Sequence, residues 1–258
     1  MYDFPERVYT DVRIEDVFQT EIGYTFDRID QARERRYTAA FIRLYDGERW
    51  YYAATTNTGD VQGEINRLAG YASPNGSVDR NPVVERFHVE DREQADFESD
   101  RVDGTQLAKK DDILRSHFDA FRQDEVKSWS PFYTDAYVRK SFVSSKGTRL
   151  AWDYQKAGLG IAFSLAGEGE RQFSEVYQAG GNRLEELQGL VSESRDYLEH
   201  ALDFMRASEA FEPRSLPMVL SPNVAGVFAH ESFGHKSEAD FMVGDETMRR
   251  EWAIGREV

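Results

Sequence analysis

Twice along this chain, runs of alternating apolar and polar residues precede a stretch with a helical apolar stripe. That order commits the chain to sheets covered by helices, an α+β class of fold. The alternation first shows at Val12 and Ile14 against Arg13 and Glu15, and again at Ile22, Tyr24 and Phe26. Residues 41–45 and 50–55 flank Asp46-Gly47-Glu48-Arg49, which reads as a hairpin. A helix is expected from about residue 60 to 71, with Val61, Ile65, Leu68 and Ala69 on one face. The aromatic run Trp50, Tyr51, Tyr52 reads as strand packing.

From residue 73 the character changes. Pro74-Asn75-Gly76-Ser77 is a turn cluster, and 90–103 is densely acidic, so 76–104 reads as a linker. A helix is expected over 105–123. A β-meander follows, with strands over 136–143, 149–154, 159–165 and 171–177, and turns at 144–147 and 167–169. Gly158 and Gly160 read as strand or turn glycines, because no helix start follows them as a phosphate loop requires. A long helix capped by Asn182 should then carry a core stripe of Leu184, Leu187, Leu190, Val191, Tyr197, Leu198, Ala201, Leu202 and Met205, with His200 near its edge readable as a satisfied core histidine. The expected organisation is a 1–75 N-terminal α/β subdomain, a 76–104 linker, a 105–209 middle subdomain and a 210–258 segment opening a further domain. That last segment should begin with a strand at 216–220.

The chemistry concentrates in Gly226-Val227-Phe228-Ala229-His230-Glu231-Ser232-Phe233-Gly234-His235. Histidine is the commonest protein ligand for zinc, and a neighbouring carboxylate can act on a metal-bound water. Ser221 can cap and Pro222 can start a helix running to about residue 233. The two histidines stand five residues apart, not the four that place both on one helical face. On a regular helix five residues separate side chains by roughly 140°. Both can reach one ion only if the turn widens to a π type or breaks near Gly234. The bland alternative is an amphipathic helix with two partly buried histidines.

Leu216-Pro217-Met218-Val219-Leu220, then Ala225 to Ala229, His230 to His235 and Glu238-Ala239-Asp240-Phe241 together resemble the core of the TldD/PmbA metalloprotease family. Ser232 stands where that family usually has alanine. The resemblance implies a Zn2+ cofactor held by His230 and His235, with Glu231 as catalytic base. It implies peptides or unfolded polypeptides as substrate, and a homodimer or a heterodimer with a related subunit. It also implies a cysteine as third ligand, from a C-terminal domain, and assigns Glu238 and Asp240 to supporting the site.

This chain of 258 residues has no cysteine and stops soon after the motif. It is therefore expected to be a fragment without protease activity of its own. The alternative is a non-catalytic scaffold or partner subunit. A net charge of −15 argues against nucleic acid as a general partner, which needs clustered Lys and Arg. No apolar run approaches the roughly 18 residues of a membrane span, and the N-terminus does not read as a signal peptide. A cytoplasmic protein is expected.

Overall fold

The computed structural model describes residues 2–167, 172–209, 212–242, 245–252 and 255. They fall into two compact units, Met1–Ser208 and Glu209–Val258. The expected turn at 167–169 lies mostly outside the described residues.

In the first unit, β1 (Tyr9–Thr25), β2 (Arg28–Tyr45) and β3 (Trp50–Thr55) form a meander, closed between β2 and β3 by the expected hairpin. Asp46 holds that turn. One carboxylate oxygen accepts from the backbone N–H groups of Glu48 (2.9 Å) and Arg49 (2.8 Å), and the other from the Tyr51 hydroxyl (2.9 Å). These donors outweigh the burial that opposes ionisation, and they hold the Asp46 carboxyl down at about 2. Trp50 stacks on Tyr45, with ring centroids 4.8 Å apart.

The sheet continues through β5 (Val126–Ser144), which pairs with the other side of β1, and β6 (Arg149–Ala166). Two short partners share the far edge of β6. The strand β4 (Asp91–Gln94) runs parallel to 149–152, and β7 (Gln172–Gly181) runs antiparallel to 157–166. Among the described residues this makes one seven-stranded sheet with flanking helices, an α+β fold. Strands of 1–75 and of 105–209 thus lie in the same sheet.

Several strands are longer than the apolar pattern announces. The outer half of β2, from Arg28 to Arg36, is exposed throughout and carries no apolar alternation. It is held instead by directly opposed residues, Arg33 with Glu21 and Arg35 with Gln19. Further along, Asp11 and Arg43 face each other in register, and the guanidinium grips the carboxylate at 3.0 and 2.7 Å. The stretches expected as separate strands at 149–154 and 159–165 are one strand, β6. Gly158 and Gly160 sit within it, and the Phe132 ring from the facing strand occupies the space where a Cβ on Gly160 would stand, 2.4 Å away.

The first helix, α1 (Val61–Ala69), is capped by Asp60, which accepts from the Gly63 N–H at 3.1 Å. It buries Val61, Ile65 and Leu68 with Val12, Ile42, Leu44 and Ala53 of the sheet. The stretch 76–104 holds α2 (Pro82–Glu85) and β4, and it is tied to the sheet. The Lys146 ammonium donates to the carbonyls of Val84 and Phe87, both at 2.7 Å. Asp153 accepts from the Asp96 N–H (2.7 Å), and Gln155 from the Val102 N–H (2.7 Å).

The helix expected over 105–123 is two, α3 (Leu107–Arg115) and α4 (Phe118–Phe121). The break falls at Ser116 and His117, where the buried imidazole turns inward and its Nδ1 meets Ser194 Oγ at 2.8 Å. The long helix starts later than Asn182. A 3-10 turn over Leu184–Leu187 comes first, then Gly189 at φ +75°, a left-handed corner that favours glycine, and then α5 (Val191–Ala207). Leu198, Leu202 and Met205 of α5 pack with Leu114, Phe118, Phe121, Trp129, Ile161 and Phe163 in the main core. His200 is exposed, not a core residue at the edge of the stripe.

Burial pushes the His117 imidazole below its ordinary value, only partly offset by the Glu193 carboxylate. The folded chain therefore binds fewer protons at this site than the unfolded chain. The resulting stability is fully present above the unfolded value near 6.5 and is lost as pH falls through the folded value. Urea midpoints measured from pH 8 to pH 5 should show a steeper acid loss for the wild type than for His117→Asn, which keeps a polar partner for Ser194 but does not titrate. Parallel curves would show that this group does not contribute.

In the second unit, α6 (Pro222–Ala229) leads into a π turn over His230–Gly234 and a 3-10 turn over His235–Ser237. The helices α7 (Ala239–Met242) and α8 (Glu246–Glu251) follow. The strand expected at 216–220 is not formed. A strand needs a ladder beside it, none among the described residues pairs with this segment, and Pro213 and Pro217 lack the N–H a ladder uses. No helix among the described residues is long and apolar enough to cross a membrane.

Candidate metal centre

The motif is set up from its N-terminal side. Ser221 Oγ accepts from the Val224 N–H at 3.4 Å, and Pro222 occupies the first turn, where its missing N–H costs nothing. Eight residues after Pro222, at His230, the repeat changes. The His235 N–H bonds to the His230 carbonyl, five residues back, in place of the usual four. The wider turn brings His235 above His230, and their ring centroids lie 4.4 Å apart at 69°. The turn expected from the five-residue spacing is therefore present, and it is widened without a break. Gly234 is helical (φ −56°), and a Cβ there would meet His230 Nδ1 at an ordinary 3.7 Å.

Two hydroxyls furnish the carbonyls around this turn. Ser232 Oγ donates to the Phe228 carbonyl, and Ser237 Oγ donates to that of Phe233. Ser232 is thus more than a mild departure from alanine, since it supplies a donor where the helix changes repeat.

One donor atom from each of His230, Glu231 and His235 lies within 4.8 Å of the others. Among the described residues this is the one such group of three or more His, Cys, Asp or Glu side chains. Glu231 Oε2 is 3.7 Å from His235 Nε2. Ligands held about 2.0–2.2 Å from a tetrahedral zinc stand about 3.4 Å from one another, so side-chain rotation is enough to close the set. All three residues are exposed, and an incoming ion or water can reach them. The donor set, two imidazoles and a carboxylate, fits zinc chemistry.

The two carboxylates after the motif differ in their partners. Glu238 Oε1 lies 2.7 Å from His235 Nδ1. Asp240 Oδ1 instead accepts from the Phe241 N–H at 3.1 Å, in the first turn of α7. The resemblance named both carboxylates as supporting the site; the contact of Glu238 with His235 Nδ1 is the part it left unspecified. Of the remaining histidines, His88 and His200 are exposed and His117 is buried, each away from this group in the sequence.

No family model matches the chain. Curated relatives do. A metalloprotease of Methanocaldococcus jannaschii is 25% identical over 148 residues, covering 55% of this chain and 31% of that protein. A zinc metalloprotease TldD homolog of Saccharolobus solfataricus is 21% identical over 257 residues, 90% of this chain and 51% of that protein. A metalloprotease of Methanothermobacter thermautotrophicus is 24% identical over 266 residues, 96% of this chain and 54% of that protein. The chain thus spans about half or less of the length of these relatives.

Solved structures share the fold. A Thermotoga maritima protein described as a modulator of DNA gyrase superposes with a TM-score of 0.61 over 79% of this chain and 46% of its own, at 11% identity. TldE from Thermococcus kodakarensis gives 0.56 over 77% and 44%, at 12% identity. The sheet-and-helix unit thus has the fold of these proteins, and the sequence relatives carry metalloprotease names. In sequence the chain is distantly similar to TldD-type metalloproteases, and in fold to TldE and its structural relatives.

Proposed function

We propose that this chain is the motif-bearing part of a zinc-dependent metallopeptidase acting on peptides or unfolded polypeptides. The observation that carries the reading is the π turn, which sets His230 and His235 together with Glu231 beside them. The metalloprotease names of the sequence relatives support it. In this reading His230 and His235 hold the ion. A bound zinc would supply Lewis acidity toward water and the scissile carbonyl. Glu231 takes the proton of the attacking water and delivers it to the leaving amine. The exposed setting lets an extended substrate approach all three side chains.

The third ligand that the family resemblance implies, a thiolate, has no counterpart in these 258 residues. We assign it to polypeptide outside them, so the chain alone should not be an active protease. The same resemblance suggests pairing with a second copy or a related subunit.

Calorimetric titration with zinc tests the metal assignment. Wild type should take up one ion per chain. His230→Ala and His235→Ala should each weaken uptake beyond the roughly 10–100-fold that outer-shell partners account for. A wild-type chain that takes up no zinc would turn the reading toward a non-catalytic partner subunit.

A further inference from the structure

We infer that Glu238 is a positioning residue for His235, fixing which ring nitrogen faces the metal. The inference rests on the metal reading above. His235 opens the 3-10 turn His235–Ser237, and the backbone becomes extended at Glu238 (ψ 134°). The Glu238 N–H closes that turn on the His235 carbonyl at 3.2 Å. Its side chain folds back over the same turn, and Oε1 reaches Nδ1 of the imidazole at 2.7 Å.

A carboxylate can only accept, so Nδ1 carries the hydrogen and Nε2 keeps its lone pair. Nε2 is the nitrogen on the Glu231 side, 3.7 Å from Oε2. One residue thus sets both the tautomer and the rotation of the ring. Asp240, the other carboxylate downstream, is engaged by the backbone of its own helix. Orientation of ligand histidines by an outer carboxylate is a general device, and its removal typically weakens metal binding 10–100-fold.

The test uses the ion-free protein first. Long-range proton–nitrogen NMR of the imidazoles at pH 8 should show His235 as the Nδ1–H tautomer in the wild type and in Glu238→Gln, which keeps an acceptor oxygen. Glu238→Ala should move it to the Nε2–H form. Zinc affinity should then fall 10–100-fold in Glu238→Ala and less in Glu238→Gln. An Nε2–H His235 in the wild type, or a tautomer and an affinity unchanged in Glu238→Ala, would overturn the inference. The NMR arm needs no metal, so it decides the Glu238 contact even where absence of zinc uptake by the wild type sinks the metallopeptidase reading.

Discussion

Replacing Lys110 by methionine is expected to cost about 3–5 kcal/mol of folding stability, the loss typical of breaking a buried ion pair from one side. Lys110 stands on α3 and is fully buried. Its ammonium lies 2.8 Å from Asp135 Oδ2 on β5, 2.8 Å from Thr20 Oγ1 on β1 and 4.7 Å from the centre of the Phe18 ring. The Asp135 side chain is equally inaccessible. Its Oδ2 also accepts from the Tyr133 hydroxyl at 2.6 Å, while Oδ1 is buried with no protein partner. Burial, and then the Asp135 charge, push the Tyr133 phenol above its ordinary range, so it stays a donor.

With Lys110 gone, Asp135 would be a buried carboxylate held by one phenol. Asp135→Asn alone should cost a comparable amount by stranding the ammonium. The fourfold change Lys110→Met, Asp135→Leu, Tyr133→Phe, Thr20→Val removes every buried member of the network. It should recover most of the loss, because replacing all partners by apolar groups leaves nothing unsatisfied. Urea unfolding at constant slope measures all three. A single-variant cost under about 1 kcal/mol would show that water reaches the pair.

Glu231→Gln should lower peptide turnover by about 100- to 10,000-fold in any preparation that cleaves an unfolded polypeptide, while zinc affinity changes little. The amide keeps the shape of the side chain and loses the ability to carry a proton. The two readouts separate two roles that the geometry allows, since a Glu231 oxygen lies within 4.8 Å of a ring nitrogen of each histidine. A base lost from its post lowers turnover alone. A lost ligand lowers affinity as well. Turnover at the wild-type rate in Glu231→Gln would remove it from the chemistry.

Much of this was legible from residue patterns, and the limits have physical causes. The α1 face of Val61, Ile65 and Leu68, the turn at Asp46 and the buried stripe of Leu198, Leu202 and Met205 all follow from local periodicity. The outer half of β2 did not, because Arg33 and Arg35 find their partners across the sheet and register is not a local property. The continuity of β6 was hidden by Gln155, Lys156 and Gly158, which read as a turn until β5 lies alongside. Residues 216–220 erred the other way, since apolar composition suggests a strand but cannot supply the neighbour a strand needs. At the site, the five-residue spacing left a widened or a broken turn open, and the roles assigned to His230, Glu231 and His235 came from the family resemblance, not from the spacing. The partner of His235 depended on where the chain goes after Ser237, which spacing does not specify.

The π turn bears on how such sites are counted. A regular helix returns a side chain to the same face after four residues, and this wider turn does so after five. An insertion between two ligands can therefore be absorbed by the backbone without moving either donor off the face it serves. Patterns written with fixed gaps divide sites that the helix makes equivalent, and the converse also holds. A five-residue gap announces a metal pair only where the backbone has widened to meet it.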